Sequence, residues 1–91
     1  MEEYKKVFAS NLQSNLKPRI KGKIFVTVTR TDGVYIQITK QEDGIEFTTH
    51  INNLSDRLLN GYSVSYAVYE VMAQYRDYIK NIMEERYFYN D

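Results

Sequence analysis

The 91-residue sequence has no cysteine, one histidine, one proline and four glycines, and each scarcity closes off a class of protein. Without cysteine there is no disulfide scaffold, no thiolate zinc site and no thiol nucleophile. A lone histidine, His50, cannot assemble the nucleophile, base and orienting group of covalent catalysis, and a solvent-facing position near a strand end accounts for it. Gly22, Gly33, Gly44 and Gly61 stand well apart at expected element boundaries, so they form no phosphate-cradling loop. No apolar run approaches the roughly 20 residues of a membrane span. The start, Met1-Glu2-Glu3-Tyr4-Lys5-Lys6, is too polar for a signal peptide. The carboxylate pairs Glu2-Glu3, Glu42-Asp43 and Glu84-Glu85 fall in turns or near the termini, where solvation explains them. Adjacent helix positions do not share a face, so Glu84-Glu85 makes no acid–base couple. The expectation is a cytoplasmic, non-enzymatic protein with no membrane contact, no cofactor and no metal.

What is present is ordinary globular material, 43% hydrophobic and 26% charged, and the length suits a single α+β domain over residues 1–91. Tyr4, Val7, Phe8 and Leu12 recur at steps of three and four, which predicts an amphipathic helix from about Glu2 to Leu16, ended by Pro18. From Lys23 to Arg30 the pattern alternates, with Ile24, Val26 and Val28 on one side and Phe25, Thr27 and Thr29 on the other. Thr31-Asp32-Gly33 supplies a turn in which Gly33 is expected to take the positive φ. A second strand, Val34 to Lys40, and a third, Ile45 to Ile51, complete an antiparallel meander around Gln41-Glu42-Asp43-Gly44. Leu54, Leu58 and Leu59 predict a short helix to Asn60, closed by Gly61. Ser63 then caps a long helix running to about Tyr87, with Val64, Val68, Val71, Tyr75, Ile79 and Ile82 on one stripe. The expected fold class is α+β: a three-stranded antiparallel sheet meander with helices packed on one face, in α-β-β-β-α-α order. Its expected core is Ile24, Val26, Val28, Ile36, Ile38, Phe47, Val68, Val71, Tyr75 and Ile79. The last helix is longer than such a sheet is wide, so Ile82, Met83, Tyr87 and Phe88 are expected to overhang and to join two copies as a homodimer.

Charge is unevenly placed although it sums to zero. Residues 1–30 carry a net +5 and residues 31–91 a net −5. Lys17, Arg19, Lys21 and Lys23 alternate, so an extended chain would present all four on one side, a comb able to track nucleic-acid phosphates. Lysines along an edge strand also discourage pairing with other chains, and that account competes with the first. The α-β-β-β-α order resembles that of double-stranded RNA-binding domains, but the start of the last helix, Gly61 to Val68, has no Lys or Arg to bridge phosphates. Seven of the nine tyrosines fall between Tyr62 and Tyr89. Tyr62, Tyr66 and Tyr69, with Arg57, are candidate protein-contact residues, since Tyr and Arg are enriched at binding hot spots; tyrosines laid over a core rim are the structural alternative.

The stretch Leu54-Ser55-Asp56-Arg57-Leu58-Leu59-Asn60-Gly61-Tyr62-Ser63, running into Tyr66, Val68, Tyr69, Glu70 and Tyr75, resembles small uncharacterised phage and prophage accessory proteins of Gram-positive bacteria. The resemblance implies an accessory role exercised by binding host or phage macromolecules, bacterial defence proteins among them, and it transfers no functional residues. The sequence thus leads to a protein-binding module, with a nucleic-acid-binding accessory protein using Lys17 to Lys23 as the alternative.

Overall fold

The computed structural model describes residues 3–89, with side chains in the last helix as far as Arg86. The elements are α1 (Glu3–Leu16), β1 (Lys23–Val28), β2 (Val34–Lys40), β3 (Ile45–Ile51), α2 (Leu54–Leu59) and α3 (Val64–Tyr89), with 3-10 turns at Lys17–Arg19 and Gln41–Asp43. The strands form one antiparallel sheet in the order β1-β2-β3, the expected α+β meander. Pairing sets Ile24 opposite Ile38 and Ile38 opposite Phe47, then Val28 opposite Val34 and Val34 opposite Ile51. Alternation therefore gathers the branched residues on one face. Against that face α1 lays Phe8, Ala9, Leu12 and Leu16, and α3 lays Ala67, Val68 and Val71. Leu12, Leu16, Val34, Ile36, Ile38, Leu54 and Val71 are the largest fully buried side chains. Each contributes about 1.5–3 kcal/mol relative to exposure.

Several expectations change. Tyr4 and Val7 are not on the buried face of α1; they are 48% and 54% exposed. The helix is rotated so that small Ala9 faces the core. Gln13 then reaches the outer edge of β1, where its Oε1 accepts the Val26 amide at 2.9 Å. That bond satisfies an amide that β2 cannot reach. Leu59 is 85% exposed because α2 is too short to turn more than Leu54 and Leu58 inward. Val28 and Tyr75 are half-buried against the core, and Ile79 is half-buried in a groove with Ile20 and Ile45. The overhang is also smaller than its length suggests. Arg86 donates to the Asp43 carbonyl at 2.7 Å, so α3 stays on the β2–β3 turn through Arg86. The side chains of Tyr87 and Phe88 lie outside the described residues.

In the β1–β2 turn the positive φ belongs to Asp32, at +58°, rather than to Gly33. Gly33 is required for closeness instead, because a Cβ there would collide with the Ile51 carbonyl of β3. Asp32 then acts as a remote cap for α2, whose own preceding residue, Asn53, makes no side-chain cap bond. The Asp32 carbonyl accepts the Leu54 amide at 2.9 Å. Its carboxylate accepts the Ser55 amide at 3.1 Å and the Ser55 hydroxyl at 2.7 Å, and pairs with Lys5 of α1 at 2.7 Å. One turn residue thus ties α1, the hairpin and α2 together, with a carboxylate at the positive end of a helix.

The hydrogen bond from Lys5, then that from Ser55, holds the Asp32 carboxyl below its ordinary pKa. A carboxyl depressed in the folded state stabilises above its unfolded pKa and loses that contribution as pH falls through the folded value. Asp32→Asn is therefore expected to melt below the parent at neutral pH, with the gap closing below about pH 4. Thermal melts across pH check this, and a gap that persists unchanged into strong acid contradicts the clamp.

Candidate interaction surface

The corner between α2 and α3 is built by the chain reversal at Gly61. With Gly61 at φ +85°, its amide donates to the Leu58 carbonyl at 3.3 Å and the Tyr62 amide to the Arg57 carbonyl at 2.8 Å. This Schellman closure of α2 satisfies two of its free carbonyls and swings Tyr62 inward. The Tyr62 ring lies 6.0 Å from Phe8 and 6.1 Å from Tyr66. The Ser63 hydroxyl accepts the Tyr66 amide at 3.2 Å and starts α3, as its position implied.

Arg57 is fixed on three sides. Its Nε donates to the Asn52 carbonyl at 2.7 Å, its Nη1 lies 3.7 Å from a Glu70 carboxylate oxygen, and its guanidinium sits 5.0 Å over the Tyr62 ring. The cation–π contact and the planar fork suit arginine and not lysine. Asp56, Arg57, Asn60, Gly61, Tyr62 and Tyr66 line an open hollow of about 370 Å³. The Tyr62 hydroxyl is buried with no hydrogen-bond partner among the described residues. Burial first, and then Glu70, push its pKa up to about 12 against the pull of Arg57. At neutral pH the hollow is thus walled by a neutral phenol, a rigid cation and the 63%-exposed ring of Tyr66.

The four candidate contact residues do not form one cluster. Arg57, Tyr62 and Tyr66 share this hollow, whereas Tyr69, 72% exposed, lines a second one of about 410 Å³ with Arg19, Ser65, Val68, Met72 and Arg76. The second grouping was legible, since Ser65, Tyr69, Met72 and Arg76 follow one another at steps of four, three and four. Arg19 was not, because it arrives from a distant segment.

The basic comb does not form. Lys17–Arg19 is a 3-10 turn continuing from α1, and Pro18 is accommodated in its first positions, where the missing amide costs nothing. Arg19 donates to the Asn15 carbonyl at 2.7 Å and so caps the end of α1. Lys21 and Lys23 share a hollow of about 480 Å³ with Lys40, Glu42 and Asp43, and Arg19 and Lys21 line another with Asp43 and Arg86. His50 lies on the uncovered sheet face with its ring 4.6 Å from Tyr35. Among the described residues no group of three or more His, Asp or Glu could hold a metal ion, and no helix is long and apolar enough to cross a membrane.

Comparison with protein-family models, with curated protein sequences and with solved structures finds no match.

Tyr62→Phe removes an unpaired buried hydroxyl and keeps the ring under Arg57. It is expected to stabilise the fold by about 1 kcal/mol in chemical denaturation. A loss of similar size would show that the hydroxyl is bonded.

Proposed function

We propose that this chain is a non-enzymatic phage or prophage accessory protein that binds a protein partner, a host or defence protein, through the α2–α3 end. The observation that carries the reading is the pair of exposed rings on α3, Tyr66 at 63% and Tyr69 at 72%, each beside a hollow with an arginine in its wall. Rigid tyrosines give large contact area at low entropic cost, and Arg76 in the hollow beside Tyr69 suits an acidic or carbonyl-bearing partner. Arg57, already bound to Asn52, Glu70 and Tyr62, acts here by holding the hollow in shape. The phage origin rests on the resemblance carried by Leu54 to Tyr75. Homodimer formation through the end of α3 belongs to the same proposal, supported by Met83 at 60% exposure. Tracking of a nucleic-acid duplex by Lys17, Arg19, Lys21 and Lys23 is the weaker reading, because Lys17 and Arg19 are turned out of line with the other two.

Capture from a Gram-positive host lysate by the tagged parent and by a Tyr66→Ala, Tyr69→Ala variant tests the proposal. Both positions are exposed, so the variant is expected to melt like the parent. The parent should retain a protein stoichiometrically, and the variant should retain it at least about tenfold more weakly. Retention of nuclease-sensitive nucleic acid without protein, or equal retention by both, would overturn the reading. Light scattering of the same preparation is expected near twice 10.8 kDa, and a monomer would end the dimer part.

A further inference from the structure

The side of the sheet turned away from α1 and α3 carries three cross-strand rows. They are Lys23-Thr39-Glu46, Phe25-Gln37-Thr48 and Thr27-Tyr35-His50. Phe25, mid-strand on β1, is 54% exposed. Its diagonal neighbour on β2 is Tyr35, about 7–8 Å away by sheet geometry. The Tyr35 ring is itself braced by His50 at 4.6 Å. Two aromatic surfaces at that spacing, on rigid strands, can each take one of two successive bases. Thr27 and Gln37, which lie between the two rings, and Thr48, beyond Gln37 on β3, hold hydroxyl and amide groups that both donate and accept hydrogen bonds.

Charge on this face is polarised. Lys23 stands two residues from Phe25 on the same face of β1 and Lys21 just before the strand, both exposed and with no side-chain ion pair or hydrogen bond among the described residues; the hollow they line also holds Lys40, Glu42 and Asp43, with Asp43 paired to Lys40. Glu46 lies on the far strand, β3, two strand spacings or about 10 Å from Lys23. A phosphate backbone is thus drawn to β1 and held off β3, which leaves its bases over Phe25 and Tyr35. A duplex cannot use this arrangement, because its bases are already stacked and paired.

We propose that the uncovered sheet face binds single-stranded RNA. Phe25 and the Tyr35–His50 pair stack two bases, and Lys21 and Lys23 follow the phosphates. Thr27, Gln37 and Thr48 meet base edges and 2′-hydroxyls, the group that separates RNA from DNA. The site lies across the sheet from the helices and stands independently of the α2–α3 contact.

Fluorescence anisotropy of a labelled oligouridylate of about eight nucleotides, with the full chain at low salt, tests it. Phe25→Leu keeps apolar volume at an exposed position but removes the flat ring, and should weaken binding by about 5- to 150-fold. Tyr35→Leu should do likewise, and Phe25→Leu decides the matter if Tyr35→Leu lowers the melting temperature. Lys21→Gln with Lys23→Gln should flatten the slope of log affinity against log salt by about 1.4. The Tyr66→Ala, Tyr69→Ala variant should bind RNA like the parent, which separates failure here from failure of the protein-binding reading. Three results would each overturn the proposal: absence of binding at low salt, an unchanged affinity in Phe25→Leu, or equal affinity for the DNA strand of the same sequence.

Discussion

A three-stranded sheet is narrow, and when α1 and α3 pack against the same side of it, that side must supply the apolar layer of the fold. Val34, Ile36 and Ile38 on the central strand are completely buried, while the residues between them, Tyr35 and Gln37, face outward. The core thus depends on strand register. A slip of one residue in any pairing would exchange the two faces and leave the branched residues in water. The short connections enforce that register: Asp32 in a left-handed conformation turns β1 into β2, and Gly33 lets the turn pass close to the end of β3.

The same economy explains how the ends of the sheet are used. At one end Asp32 gathers Lys5, Leu54 and Ser55, so the first helix, the first hairpin and the short second helix are fastened at one point. From that anchored α2 the Gly61 reversal delivers Tyr62 under Arg57 and against Phe8, and this places Tyr66 at the rim. At the other end Arg86 fastens α3 to the Asp43 carbonyl, while the Tyr78 hydroxyl donates to the Glu46 carbonyl at 2.9 Å. Phe47 packs between Tyr75 and Tyr78, with ring centroids at 5.7 and 5.2 Å. Among the described side chains the tyrosines of α3 accordingly divide by angle around the helix: Tyr75 and Tyr78 complete the core rim, and Tyr66 and Tyr69 are left outside it.

Period-two and helical patterns were enough to read β2, β3, the starts of α2 and α3, and the outward rows of the sheet directly from the residues. They failed where a contact distant in sequence decides the outcome. The rotation of α1, which exposes Tyr4 and Val7, is coupled to Gln13 bonding the edge of β1, and no local pattern reveals that bond. Asp32 capping α2 across 23 residues is invisible for the same reason. Alternation of Lys17, Arg19, Lys21 and Lys23 makes a comb only in an extended chain, whereas Lys17–Arg19 continues helically from α1. The hollow around Tyr62 was partly legible, since Arg57, Tyr62 and Tyr66 were identifiable as residues of one short stretch. The separation of Tyr69, and its meeting with Arg19, depended on how α1 and α3 lie together.

Solvent accessibility of the phenylalanine rings, read by NMR relaxation with a soluble paramagnetic probe, tests one-sided burial most directly. With Phe25 at 54% exposure and Phe8 and Phe47 at 5% and 8%, strong broadening is expected for Phe25 and protection for Phe8 and Phe47. A protected Phe25 together with a broadened Phe47 would mean that the sheet presents its other face to the helices, and it would contradict the register on which both proposed surfaces depend.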